Sequence, residues 1–250
     1  MKKQVIVFDK DDTLTKAKCD IDENMANLLW KLTKKYKVAI ITGWSWENIY
    51  NQIVSKLPLD TNFENLYIFP TIGAQFYVFK NGNWERVYAE FLTEQEVKFI
   101  TDILNKAIDD LNLRPTKVYG EIIENRLTQI TYSGLWQKAP LEEKQKFDPD
   151  KTLRQRIVDY IKEDLKDYSI GIAGTTSIDI TRKWLDKAYW IKKIMENLKV
   201  SKEDILFVWD AIFPGGNDYP VKEFGIDCIK VSSLDNTREV IENLLTSVNL

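Results

Sequence analysis

The sequence predicts an α/β protein, with a parallel-sheet core and an inserted α+β domain. Three uninterrupted apolar runs, at 5–8, 38–41 and 205–208, are typical of strands buried on both faces of a sheet. Helical patterns separate the first strands, as parallel connections require. Between residues 74 and 182 hairpin and helix patterns alternate, which indicates an antiparallel sheet with helices on one face.

The first part of the core alternates strands and helices. Apolar residues at helical spacing predict a helix at 21–36 after the first strand. Ser45 begins a second helix, which ends near Leu57. The third strand, 66–69, stops at Pro70 because proline lacks the donor that a ladder needs.

The inserted domain starts near a hairpin signal. An Asn-Gly pair at 81–82 separates two β-prone runs, 75–79 and 84–88. Thr93 and Glu96 form a capping box that begins a long helix. The remaining predicted elements are strands within 121–132, a helix at 153–165, and strands at 168–172 and 177–181.

The core resumes after the insertion. Its predicted elements are a helix at 186–198, strands at 205–208 and 226–231, and a closing helix at 237–245. We therefore divide the chain into a core of residues 1–82 and 183–250 and an inserted cap of residues 83–182.

Composition excludes several classes of function. The chain has no histidine, which excludes a Ser-His-Asp triad, His-ligated zinc and histidine base catalysis. A net charge of −3 predicts neither a nucleic-acid partner nor an anionic membrane partner. Only Cys19 and Cys228 are present, so we expect no disulfide framework and a cytoplasmic location. No apolar stretch is long enough to span a bilayer.

Polar residues at the ends of the core strands define a candidate site. Asp9 and Asp11 follow the first strand, Thr42 follows the second and Asp210 follows the strand at 205–208. Lys187 begins the helix before that last strand. Carboxylates suit Mg²⁺ and can attack phosphorus, and a lysine offsets phosphoryl charge, so the set indicates phosphoryl transfer.

These residues resemble the haloacid dehalogenase (HAD) superfamily of phosphotransferases. The matching positions are Asp9, Asp11 and Thr13 in the first motif, Thr42 in the second, Lys187 in the third, and Asp210, Asn217 and Asp218 in the fourth. A closer resemblance, to the phosphomannomutase-like branch and its bacterial relatives known as HAD-IIB hydrolases, covers most of the chain. It rests on the segments 8–15, 177–179, 186–187 and 214–218.

The resemblance implies roles for the core residues. Asp9 would be the nucleophile that forms an aspartyl-phosphate, and Asp11 the general acid and base. Mg²⁺ would bind Asp9, the backbone carbonyl of Asp11, and Asp210. Thr42 and Lys187 would hold the transferring phosphate.

The resemblance also implies supporting and substrate-binding residues. Asn217 and Asp218 would complete the surroundings of the metal and the lysine. Ser177 and Asp179 of the cap would contact sugar hydroxyls, and Arg126 would contact the substrate. The implied partner is a small phosphorylated sugar, and the family leans towards homodimers formed through the cap.

Departures from the mutase pattern favour hydrolysis. Two arginines that grip the second phosphate in the mutases are replaced by Tyr119 and Gln137. Bidentate arginine suits phosphate binding at both ends of a substrate. We therefore expect a Mg²⁺-dependent phosphatase of a phosphorylated sugar. Because Lys117, Arg126 and Lys138 could compensate, a phosphomannomutase-type mutase is the alternative.

Tryptophan stands where the resemblance predicts glycine at five positions. These are Trp44, Trp136, Trp184, Trp190 and Trp209. The chain has 8 tryptophans and only 10 glycines. Three explanations compete. The tryptophans are present and tolerated, or they are present and have abolished catalysis, which leaves a silent phosphosugar-binding protein. In the third, the source organism reads UGA as glycine, and the printed tryptophans are glycines in the natural protein. Of these three explanations we hypothesise the third, since five glycines in place of tryptophans would bring both residue types nearer to ordinary usage.

Overall fold

The computed structural model describes residues 3–136, 138–183, 187–210 and 224–246. The chain forms two compact units, the core (Met1–Ala89 with Asp186–Leu250) and the cap (Glu90–Leu185). None of the helices within these described ranges combines the length and apolar character needed to cross a bilayer.

Strands and helices alternate in the core, and the cap interrupts them. In chain order the elements are β1 (Val5–Asp9), α1 (Glu23–Thr33), β2 (Lys37–Ile41), α2 (Trp46–Gln52), β3 (Leu66–Phe69), β4 (Gln75–Lys80), β5 (Asn83–Ala89), α3 (Glu94–Asp110), β6 (Ile123–Asn125), β7 (Ile130–Ser133), α4 (Leu141–Phe147), α5 (Thr152–Ile161), β8 (Tyr168–Ala173), β9 (Ser177–Arg182), α6 (Lys187–Leu198), β10 (Ile205–Trp209), β11 (Asp227–Lys230) and α7 (Leu234–Thr246).

The core is a mostly parallel sheet with helices on both faces. Its strand order is β11-β10-β1-β2-β3-β4-β5, and the first five strands of that order are parallel. Ile6 and Phe8 pack with α1, α2 and α7, whereas Val5 and Val7 pack with α6 on the other face. Because successive strand residues point to opposite faces, both faces must be covered. The predicted α/β class is therefore confirmed.

The hairpin of β4 and β5 belongs to the core, which corrects the predicted domain boundaries. Asn83–Ala89 pairs antiparallel with β4, and β4 pairs antiparallel with β3 of the core sheet. The cap therefore spans Glu90–Leu185 rather than 83–182. The error arose because local sequence identifies a hairpin but not the sheet that the hairpin extends.

The cap has its own sheet and its own hydrophobic core. Its antiparallel strands lie in the order β6-β7-β9-β8. Apolar residues of α3 and α5, including Leu104 and Ile157, pack against Ile130 and Ile178 of the sheet. Thr93 and Glu96 form the predicted capping box at the start of α3. The apolar residues of this cluster all belong to the cap, so the cap buries hydrophobic surface of its own.

Candidate active site

Three predicted site residues lie at the carboxyl ends of neighbouring strands. β1 lies between β10 and β2, with Phe8 paired to Val208 and Asp9 paired to Ile41. Thr42 directly follows β2, and Asp210 directly follows β10. Open α/β sheets bind ligands at this edge. The fold thus brings Asp9, Thr42 and Asp210 to one edge of the core sheet.

A tight loop follows Asp9 and orients the second acid. The backbone amides of Leu14 and Thr15 donate to the carbonyl of Lys10 at 2.9 and 3.1 Å, and the amide of Asp12 donates to the carbonyl of Thr15 at 2.7 Å. Asp12 has a φ of 58°, in the left-handed region that aspartate tolerates better than most residues. The loop is therefore closed by its own backbone.

Both carboxylate oxygens of Asp11 accept hydrogen bonds. Lys10 Nζ donates to Oδ1 at 2.8 Å, and the backbone amide of Lys18 donates to the same oxygen at 3.2 Å. Trp44 Nε1 donates to Oδ2 at 2.7 Å. The side chain of Asp11 is 34% exposed, so solvent still reaches it. The carboxylate is held from two sides by residues of the core.

Sequence reasoning missed Lys10, which fills a variable position of the first motif. Its side chain is fully buried, and Nζ also donates to Thr15 Oγ1 at 3.1 Å. The available signal was a lysine placed directly between two acids after a buried strand. In the same loop Thr13 Oγ1 is buried and lacks a hydrogen-bond partner within the described residues.

Thr42 connects the second strand to the loop that follows β3. It is 4% exposed, and its Oγ1 accepts from the backbone amide of Trp44 at 3.2 Å. Its carbonyl accepts from Ile72, and the carbonyl of Trp44 accepts from Thr71. These bonds fix the position at which the resemblance places the transferring phosphate.

The structure describes only the backbone of one of the three other predicted core residues. Lys187 is the first residue of α6, as predicted, but its side chain lies outside what the structure describes. Asn217 and Asp218 also lie outside the described residues. The roles of all three stay predictions.

Asp179 and Arg126 belong to polar networks of the cap sheet. Thr131, which pairs with Asp179 across β7 and β9, donates from Oγ1 to Asp179 Oδ1 at 2.8 Å. Burial raises the pKa of the Asp179 carboxyl, and the nearby Arg126 opposes that shift. Arg126 donates from Nε and Nη2 to Glu124 Oε2 at 3.2 and 3.0 Å.

Ser177 lies two residues before Asp179 at the start of β9. It pairs with Ser133 of β7 and is 8% exposed. Sequence reasoning did not identify Thr131, because cross-strand pairing is invisible in a local pattern.

Lys117 and Lys138, two of the three residues proposed to replace the missing arginines, lie close to other side chains. Lys117 Nζ lies 2.8 Å from Glu143 Oε1, and this carboxylate raises the pKa of the lysine. The same ammonium lies 5.0 Å from the ring centroid of Tyr119. Lys138 Nζ lies 5.6 Å from the ring centroid of Trp136, and Gln137 lies outside the described residues. The cap therefore offers cations near these positions, already partnered by other side chains.

The described tryptophans of the anomalous set occupy constrained positions. Trp136 has a φ of 77°, a conformation that favours glycine. Trp190 is 1% exposed, its Nε1 has no described hydrogen-bond partner, and a Cβ added to Gly73 would lie 2.5 Å from its Cβ. Trp209 is fully buried beside Phe207, with ring centroids 3.6 Å apart. Trp184 lies outside the described residues.

Known proteins match the chain over most of its length. The family profile described as eukaryotic phosphomannomutase matches residues 25–247. A phosphomannomutase of Encephalitozoon cuniculi is 28% identical, over 99% of this chain and 96% of that relative.

Solved structures share the fold at lower identity. A haloacid dehalogenase-like hydrolase from Bacteroides thetaiotaomicron superposes with a TM-score of 0.67 at 15% identity, over 97% of this chain and 100% of that one. An N-terminally truncated IMP-nucleotidase of Plasmodium falciparum gives a TM-score of 0.69 at 19% identity, over 99% of this chain and 71% of that one. These two likenesses extend to the fold alone.

Proposed function

The chain belongs to the phosphomannomutase family of the HAD superfamily, and from this premise we propose that it is a phosphomutase of a hexose phosphate. The observation that carries the proposal is the placement of Asp9, Thr42 and Asp210 at adjacent strand ends, with Asp11 two residues beyond Asp9. The relatives' names favour the mutase over the phosphatase that the missing arginines predicted.

In the proposed reaction Asp9 is the nucleophile and Asp11 the general acid and base. A carboxylate oxygen of Asp9 attacks phosphorus, and the sugar oxygen leaves with a proton from Asp11. In the second half, Asp11 takes the proton of another sugar hydroxyl as that oxygen attacks the phosphoryl group on Asp9. Thr42 and Lys187 would hold the phosphoryl oxygens.

The chemistry of the donor set fits Mg²⁺. Asp9, Asp210 and the carbonyl of Asp11 offer only oxygen, which Mg²⁺ prefers while it keeps several waters. Within the described ranges no three acidic or thiol side chains form a group that could hold a metal ion. The proposed site needs no such group, because one of its three ligands is a backbone carbonyl. When bound, the ion would offset charge on the transferring phosphoryl group.

Hydrolysis is the second candidate, and a specific observation favours it. Tyr119 replaces a phosphate-gripping arginine, and the neighbouring Lys117 is paired with Glu143. A substrate whose second phosphate is held weakly would leave the phosphoryl-aspartate open to water. The catalytically silent protein is a third outcome, motivated by the hydrogen bond from Trp44 to Asp11.

Incubation with hexose 1- and 6-phosphates, Mg²⁺ and a hexose bisphosphate activator tests the proposal. Interconversion of the two monophosphates supports the mutase. Release of inorganic phosphate without interconversion supports the phosphatase, and binding without either reaction supports the silent protein. The homodimer and the cytoplasmic location stay predictions.

A further inference from the structure

Lys10 follows Asp9 in the chain and places a buried positive charge beside Asp11, the proposed general acid. Its side chain has no exposed area, although lysine is rarely buried without a partner. Its described side-chain hydrogen-bond partners are Asp11 Oδ1 at 2.8 Å and Thr15 Oγ1 at 3.1 Å, and Nζ also lies 5.8 Å from the ring centroid of Trp44. An ammonium removed from water needs such partners, because its desolvation is costly.

The backbone of Lys10 also closes the loop that carries Asp11. Its carbonyl accepts from the amides of Leu14 and Thr15. The side chain and the main chain of one residue therefore bind both ends of the segment 11–15. A residue placed in this way sets the position of the Asp11 carboxylate relative to β1.

Resting on the proposed mutase reaction, we propose that Lys10 is a positioning residue that holds Asp11 for proton transfer. The ammonium binds Oδ1 of Asp11. The other oxygen, Oδ2, then faces away from Lys10 and is the one that exchanges the proton. A general acid must lie within hydrogen-bond reach of the sugar oxygen, and small misplacements of such groups lower rates strongly. Lys10 itself touches no reacting atom in this proposal.

A double-mutant cycle with Lys10→Met and Asp11→Ala tests the contact without requiring activity. Methionine has a similar length and suits a buried site. Urea unfolding of the four proteins gives their equilibrium constants. If Lys10 holds Asp11, Lys10→Met lowers the folding equilibrium constant more when position 11 is aspartate than when it is alanine. We expect the two effects to differ by a factor of about ten or more, which is the value of a hydrogen bond to a charged group. Equal effects in the two backgrounds would overturn the proposal.

Steady-state kinetics test the positioning role. We expect Lys10→Met to lower kcat by about tenfold or more while KM for the hexose phosphate stays within about threefold. Lys16→Met is the matched control, because Lys16 is an exposed lysine that follows the same loop. An unchanged kcat, or an equal loss in the Lys16 control, would overturn the role.

The design also separates this proposal from the proposed function. If the wild-type protein converts no sugar phosphate, the mutase proposal fails, and the unfolding cycle still decides whether Lys10 holds Asp11. If Lys10→Met does not fold, Lys10→Gln replaces it in the cycle with a lower threshold of about threefold, because glutamine keeps a neutral donor at this position and removes only the charge.

Discussion

Trp44 Nε1 lies 2.7 Å from Asp11 Oδ2, while Lys10 Nζ lies 2.8 Å from Oδ1 of the same carboxylate. If Asp11 is the general acid that we propose, a substrate hydroxyl must reach Oδ2, and the indole competes with the substrate. We expect Trp44→Gly to raise kcat/KM for the hexose phosphate by about tenfold, the value of a hydrogen bond to a charged group. Initial rates of interconversion at subsaturating substrate measure this change.

Trp44→Phe distinguishes the effect of the indole N–H from the effect of the size of the ring. Phenylalanine removes the donor and keeps an aromatic side chain, so we expect only part of the gain. Wild-type or lower kcat/KM in the glycine variant would mean that the indole is tolerated at this site.

Asp9→Asn should abolish turnover. The amide is a poor nucleophile towards phosphorus, and loss of a nucleophile typically costs more than about a thousandfold in kcat. Asp12→Asn is the matched control, because Asp12 is exposed in the same loop and asparagine tolerates its φ of 58°. Interconversion that survives in Asp9→Asn would refute the role of Asp9, and the control should stay within about threefold of wild type.

The ion pair between Glu96 and Arg182 should make the stability of the cap depend on acid pH. Arg182 donates to both Glu96 oxygens, at 2.9 and 2.8 Å, and lowers the pKa of Glu96 to about 2. A lowered folded-state pKa stabilises the protein above the pKa of the unfolded chain, and this contribution is lost as the pH falls towards 2. We expect a loss of about 2 kcal/mol between pH 5 and 2, reduced by partial solvent screening.

Glu96→Gln provides the comparison for this pH dependence. Urea unfolding followed from pH 7 to 2 should show a smaller decline for the glutamine variant, since glutamine does not titrate. Parallel curves for the two proteins would show that the ion pair contributes nothing measurable.

The backbone at Trp136 should favour glycine. Its φ of 77° places an L-residue in the left-handed region, at a cost of about 1–2 kcal/mol. We expect Trp136→Gly to have a larger free energy of unfolding than Trp136→Ala by about 1 kcal/mol, because both variants lose the ring and only glycine loses Cβ. Equal stabilities in urea would contradict the strain.

A variant genetic code would place glycine at the five anomalous positions of the natural protein. If its source organism reads UGA as glycine, peptide mass spectrometry of the protein purified from that organism should find glycine at positions 44, 136, 184, 190 and 209. Tryptophan at positions 44 and 209 would exclude recoding as the explanation.

The core was predictable because burial on both faces leaves a direct mark on the sequence. The runs that became β1, β2 and β10 contain almost no polar residues, and such runs have few alternatives to a covered parallel sheet. The hairpin was assigned to the wrong unit because β5 alternates in the same way whether it extends the core sheet or the cap sheet.

The candidate site was predictable in its residues rather than in its contacts. Strand order carries Asp9, Thr42 and Asp210 to one edge regardless of side-chain detail. The contact between Lys10 Nζ and Asp11 Oδ1 depends on side-chain rotamers and on the closed loop. Neither can be read from the spacing of residues in the sequence. Sequence therefore indicated the chemistry and missed the residue that orients it.

The middle one of the five parallel core strands, β1, pairs with a strand made much later in synthesis. Val5 of β1 pairs with Ile205 of β10, while all the strands of the cap sheet lie within Ile123–Arg182. On the ribosome, the edge of β1 that pairs with β10 stays unpaired until β10 has emerged. The cap, in contrast, can complete its own sheet first. Because unpaired apolar strands aggregate, the nascent core is expected to be the part of this protein that depends on chaperones.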